Sequence, residues 1–130
     1  MSGYTVIEDP KPQPQDSDVI RRAVRLDGDV CKGAPFFEVV WIMKNIPEGP
    51  GLQTHDFDEF VGFMGGDVNA PMELGCVIEF RIGEKIEQIR NTCLIMIPAG
   101  IEHGLLSVKN LSKPVLSYSG GPDHTTIRRS

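Results

Sequence analysis

Apolar residues in this chain fall in short β-prone runs bounded by turn residues. The densest is Phe36 to Met43, with Phe36, Glu38, Val40 and Ile42 on one face and Phe37, Val39, Trp41 and Met43 on the other. Both faces are apolar, which predicts a strand packed on one side against the interior and on the other against a second surface such as a subunit interface. Glu38 breaks the pattern, as an edge residue facing water or as a carboxylate near an internal site. Further strands are predicted over Glu59 to Met64, Cys76 to Arg81, Lys85 to Arg90, Cys93 to Ile97, Ile101 to Val108 and Lys113 to Ser119. Between the second and third of these, Ile82-Gly83-Glu84 reads as a hairpin connection with glycine available for a positive φ. Gly65 to Gly75 is a long loop, expected to elaborate one end of the fold.

Before these runs, Tyr4 to Ile7 is a short candidate strand, and the prolines between Glu8 and Asp18 predict an extended connector. Such an arm either lies along a neighbouring subunit or is a loose terminus. Val19 to Arg25, the turn signal Asp27-Gly28 and Val30-Cys31 suggest a short peripheral hairpin.

The chain has 130 residues, 14 glycines and 10 prolines, which favours one all-β domain of short strands and turns over long helices. With 13 basic and 18 acidic side chains the net charge is −5, so no attraction to nucleic acid or anionic membrane is expected. Arg128-Arg129 reads as a solvated tail. Met1 to Pro10 has neither a basic start nor an apolar run, and no later stretch reaches membrane-spanning length, so a soluble cytoplasmic protein is expected. Cys31, Cys76 and Cys93 are odd in number and widely separated. That argues for reduced core residues and against a disulfide framework or a zinc site. Cys93 shares its parity with Ile95 and Ile97 and so can approach an internal pocket.

The chemistry concentrates between Gly49 and Gly66. Gln53, His55 and Glu59 are spaced so that extended backbone points all three to one side, while Asp56 and Asp58 have the opposite parity and read as a solvated face. Downstream, the tight turn Pro98-Ala-Gly-Ile-Glu delivers His103 at the start of an apolar segment. A single buried histidine is ordinarily a hydrogen-bonded core residue. Two imidazoles and one carboxylate together suit a divalent first-row metal, and with open positions they form the facial triad of non-haem iron sites.

These two stretches resemble the paired motifs of the cupin superfamily. The first motif is matched by Gln53-x-His55, three residues, Glu59, six residues and Gly66, with glutamine in place of the first histidine and the leading glycine displaced to Gly49 or Gly51. The second is matched by Pro98-x-Gly100 and His103, with Thr92 at its glycine position and Ser107 at its asparagine position. The resemblance spans residues 36 to 119. It implies a double-stranded β-helix, a jelly-roll barrel, over residues 19–119, with an arm at 1–18, a tail at 120–130 and the motifs at 49–66 and 92–107.

It also implies one divalent ion (Fe, Mn, Ni or Zn) held by Gln53, His55, Glu59 and His103, with Gln53 either a ligand through its amide oxygen or a partner of bound water. Trp41, Val61, Phe63, Ile95 and Leu105 are the expected substrate-pocket residues. By parity, Ile42, Val77 or Ile78, Met96 and Ile97 are further candidates for an apolar pocket wall. Arg81 and Arg90 end strands, either exposed or paired with a ligand carboxylate, and His124 belongs to the tail or folds over the barrel mouth. Dioxygenase, isomerase and lyase chemistries occur in the resembled family, and a non-catalytic small-molecule or metal-binding module is the alternative. A homodimer packed through the outer strand faces is expected.

Overall fold

A computed structural model describes residues 3–10 and 17–123. Its strands are β1 (Ile20–Leu26), β2 (Pro35–Ile42), β3 (Glu59–Met64), β4 (Glu73–Ile82), β5 (Lys85–Asn91), β6 (Cys93–Ile97), β7 (His103–Lys109) and β8 (Val115–Asp123). They form an antiparallel five-stranded sheet in the order β1-β2-β8-β3-β6 and a three-stranded sheet in the order β5-β4-β7. The all-β expectation therefore holds as two antiparallel sheets, rather than as one continuous hydrogen-bonded barrel wall among the described residues.

Register decides which side chains face inward. Val61 lies opposite Ile95 and Ser119, Phe63 opposite Cys93 and Ser117, and Ile42 opposite Val115, so these share the inner face of the larger sheet. From the smaller sheet Leu74, Cys76, Ile78 and Phe80 point back at them, with Val108 opposite Ile78. Ile78, Val108 and Val115 have no accessible surface. Burial of alternate residues from both sheets is what joins them. On one side the segment after β2 adds a second join, bridging to β7 at Ile46–Val108 and at Gln53–His103.

Several expectations need correction. Residues 4–7 carry no strand, and Tyr4 and Val6 are largely exposed. The peripheral hairpin is β1 with β2 itself, Val30-Cys31 belonging to the turn that Asp27 caps through its backbone and carboxylate. Part of the proline-rich connector, at 11–16, lies outside the described residues, as do His124 and Arg128-Arg129. Strand β8 runs on through Gly120 and Gly121, where a tail was expected. A methyl group at Gly120 would collide with the Phe60 ring and one at Gly121 with the Phe57 ring, so the glycine pair lets the strand pass close beneath aromatic side chains. The hairpin between β4 and β5 agrees with expectation, Gly83 having φ 60°.

Glu38 is on the inner face but is no edge residue, since β1 and β8 flank β2. Its carboxylate is held by Arg22 at 3.0 Å and Arg25 at 2.9 Å, partners that the sequence spacing did not reveal. The interior packing predicts the cost of a void. Ile78→Ala should lower unfolding free energy by about 2–5 kcal/mol in urea titration. A loss below about 1 kcal/mol would mean that the two sheets do not share this core.

Candidate metal centre

The two motifs are brought together by backbone. Gln53 and His103 exchange hydrogen bonds, the amide of each donating to the carbonyl of the other at 2.8 and 2.9 Å. The Gly100 amide donates to the His55 carbonyl at 2.8 Å, and the Ala99 amide to the Asp58 carboxylate at 3.0 Å. The turn that carries His103 is thus clamped onto the loop that carries His55. Asp56 and Asp58 are exposed as expected, yet Asp58 also serves as part of the clamp.

His55, Glu59 and His103 are all buried, and one donor atom from each lies within 4.8 Å of the other two. The Glu59 Oε1 atom is 2.8 Å from His103 Nε2 and 3.4 Å from His55 Nε2. Ligands about 2.1 Å from a common ion and at right angles stand about 3 Å apart, so these separations suit coordination. His103 Nδ1 is 2.9 Å from the Ile101 carbonyl, which can only accept, so Nδ1 carries the ring proton. In the neutral ring, the Nε2 lone pair then faces a carboxylate oxygen at hydrogen-bond distance. A proton or a metal cation between them removes that repulsion, and the backbone carbonyl is the outer partner that ligating histidines typically have. Aromatic neighbours fix the rings: His55 stacks on Phe57 at 4.8 Å, and His103 lies nearly parallel to Phe80 at 6.4 Å. The donor set therefore fits a divalent ion.

Beside the cluster is a cavity of about 170 Å³, bounded by Pro50, Gln53, Glu59, Val61, Phe63, Phe80, His103, Leu105, Ser117 and Ser119. Gln53 lines it next to His103. Val61, Phe63 and Leu105 were expected there. Trp41 is not: its register partner is Leu116, on the outer face, and it borders a surface hollow with Met43 and Pro114. Ile95 faces inward but packs against the core and borders a groove beside β5. Met96 points outward and is 64% exposed. Of the paired alternatives, Ile78 is interior and Val77 faces out; Ile42 and Ile97 are core. Arg81 donates to the Gly83 carbonyl at 2.8 Å, Arg90 is exposed, and neither reaches the cavity.

Phe80, Ser117 and Ser119 were missed. Phe80 shares parity with Ile78 and was legible from β4. The serines were not, because parity sets them against the more apolar Leu116 and Tyr118, and only pairing with β3 shows that the serine side is inner.

The motif departures have local causes. Thr92 donates to the Pro71 carbonyl at 2.6 Å and accepts from the Gly65 amide at 3.2 Å, pinning the loop after β3 in a way glycine could not. Ser107 donates to Glu79 at 2.8 Å, and with Lys109 nearby it holds that carboxyl below the usual range. Burial raises the Cys76 and Cys93 thiols above their ordinary value, the Phe63 backbone opposing slightly at Cys93. A raised thiol is a poor nucleophile at neutral pH.

No family model matches this sequence, and no curated protein matches it either. Solved structures do. An RmlC-like cupin from Shewanella frigidimarina is 11% identical over 95% of this chain and 94% of its own, with a TM-score of 0.54. The polyketide cyclase RemF from Streptomyces resistomycificus is 15% identical over 98% and 84%, at 0.52. A sugar phosphate isomerase from a cupin superfamily, from Silicibacter pomeroyi, is 17% identical over 87% and 76%, at 0.51. The chain has the cupin fold. Within that fold it carries a buried His/Glu/His cluster beside a small cavity. Among the described residues no helix is long and apolar enough to cross a membrane.

The clamp is testable through Asp58. Asp58→Ala should cost about 0.5–1.5 kcal/mol of stability, with Asp58→Asn retaining most of it because the amide oxygen can still accept from Ala99. Equal losses in both variants, measured by chemical denaturation, would show that this hydrogen bond does not hold the turn.

Proposed function

We propose that this protein is a metal-dependent enzyme of the cupin type, acting on a small, partly apolar, oxygenated molecule. His55, Glu59 and His103 are its metal ligands and Gln53 a fourth, through the amide oxygen. The observation that carries this is the convergence of three donor atoms with the His103 Nε2 lone pair and the Glu59 carboxylate facing each other at 2.8 Å. Fe, Mn, Ni and Zn all accept such donors. When bound, such an ion supplies Lewis acidity or an oxygen-activating centre, the basis of isomerase, lyase and dioxygenase chemistry. The chain's own part is to hold the ligands rigidly through the Gln53–His103 bridge and to exclude bulk water with Val61, Phe63, Phe80 and Leu105.

Cavity size and charge restrict the substrate. A volume of about 170 Å³ is below that of pockets for drug-sized ligands. Among the described residues no lysine or arginine lines it, and Arg22 and Arg25 on the same sheet are engaged with Glu38. A phosphorylated substrate therefore finds no counter-charge other than a bound ion, and a neutral or singly charged molecule is the better match. Among the described residues, Glu59 and His103 are the only lining residues with ionisable side chains. That also suits the second reading, a metal or small-molecule binding module without turnover.

Metal content separates these readings from a purely structural cluster. Elemental analysis of protein purified without a metal-binding tag should find about one divalent ion per chain. His55→Ala and His103→Ala should lose most of it, while Gln53→Ala weakens binding moderately in chelator competition. Gln53→His should tighten it, most for nickel, copper or zinc. Undiminished metal in both histidine variants would exclude this centre. Dioxygen consumption by the ferrous protein with small enols, diketones or aromatics would indicate a dioxygenase; anaerobic turnover with several ions, an isomerase or lyase. Ligand-raised melting temperature without product across metals would favour the binding module.

The reading includes a cytoplasmic homodimer. Its supports are three free cysteines and an outer sheet face bearing Phe37, Val39, Trp41, Tyr118, Leu94 and Met96, the last two 59% and 64% exposed. Light scattering at micromolar concentration should give twice the chain mass, and Trp41→Glu should reduce it to one. A monomeric parent, unchanged by removal of residues 1–16, would rule out both the interface and the arm.

A further inference from the structure

The cavity wall opposite Leu105 holds two hydroxyl groups that neither the core nor the metal ligands require. Ser117 and Ser119 lie on the inner face of β8, opposite Phe63 and Val61 respectively, and both line the cavity. Around them the wall is Val61, Phe63, Phe80 and Leu105, with Phe63 and Phe80 packed edge to face at 6.0 Å. Neither hydroxyl is engaged by another side chain or a backbone group among the described residues, whereas Ser17, Ser107 and Ser112 all use theirs on protein partners. A hydroxyl directed into a largely apolar cavity loses solvation unless something there bonds to it. At inward β positions where packing alone decided, an aliphatic side chain would fill the space better.

Their placement relative to the metal cluster defines a spacing. Val61, the partner of Ser119, is two residues beyond Glu59 on β3 and on the same face. Two strand residues advance about 6.6–6.8 Å. Ser119 therefore sits one side-chain step along the cavity from the ligand carboxylate, and Ser117 one further step inward.

We propose that Ser117 and Ser119 are specificity-determining residues, forming a hydroxyl ladder that receives a second oxygen of a substrate whose first oxygen is directed at the His55/Glu59/His103 cluster. The proposal rests on the metal-site reading and narrows its substrate. The class is a small hydroxy- or oxo-acid, or an enol with a second oxygen a few bonds away, uncharged apart from the group at the cluster. Ser119 makes the first contact, and Ser117 accommodates a longer substrate or holds a bridging water. A site built to hydrogen-bond an oxygen discriminates against an analogue with a methyl in its place, because the hydroxyls are then left unpaired in an apolar wall.

The test uses cobalt-loaded full-length protein and two nearly isosteric probes, 3-hydroxybutanoate and 3-methylbutanoate. Binding is followed by the visible absorption of the cobalt site, and metal content by elemental analysis. The parent should bind the hydroxy acid about tenfold more tightly. Ser119→Ala, and the pair Ser117→Ala with Ser119→Ala, should abolish that preference with cobalt content unchanged, while Ser119→Thr should keep it. Equal affinity of the parent for both probes, or a preference that survives the double replacement, would overturn the proposal. If the parent takes up no cobalt, the metal reading falls by itself. The same probes are then compared by calorimetry on metal-free protein, where loss of preference in the alanine variants upholds the ladder and its persistence or absence in the parent refutes it.

Discussion

The paired backbone hydrogen bonds between Gln53 and His103 join the loop after β2 to the first residue of β7, and they fix the two halves of the site in register. His103 belongs to the smaller sheet and Glu59 to the larger, and packing of apolar side chains between the sheets is not directional enough by itself to hold donor atoms near 3 Å apart. The bridge is reinforced at the Gly100–His55 and Ala99–Asp58 contacts. It converts a sandwich held by hydrophobic burial into one with a fixed polar centre. Two imidazoles and a carboxylate in an almost dry interior are costly unless they meet each other or a cation.

The same constraint explains why the glutamine departure is tolerated. What position 53 must supply to the architecture is its amide and carbonyl, and any non-proline residue provides those. Thr92 and Ser107 depart from the family pattern for reasons of their own, one pinning the Gly65 loop and the other bonding Glu79 on the opposite face. Neither touches the cluster.

The cavity is electrostatically spare. Among the described residues its ionisable groups are Glu59 and His103 of the cluster, and the remaining side-chain polarity is two serine hydroxyls and the Gln53 amide. Arg22 and Arg25 on β1 pair with Glu38 on β2, and neither arginine lines the cavity.

Strand positions, the clustering of His55, Glu59 and His103, and the inward parity of Val61 and Phe63 were legible in the sequence, because β alternation and motif spacing are local properties of the chain. What lies across from each strand was not. Trp41 was placed in the pocket because β2 is apolar on both faces, and only its register with β8 shows which face is inner. The continuation of β8 through Gly120 and Gly121 was hidden for a related reason: glycines read as a tail until the Phe57 and Phe60 rings that need their space are in view. Tyr4 to Ile7 has strand propensity yet pairs with no strand among the described residues. Local pattern decides what a segment can become, whereas pairing decides which of its faces meets the site, and pairing is set by contacts between residues far apart in the chain.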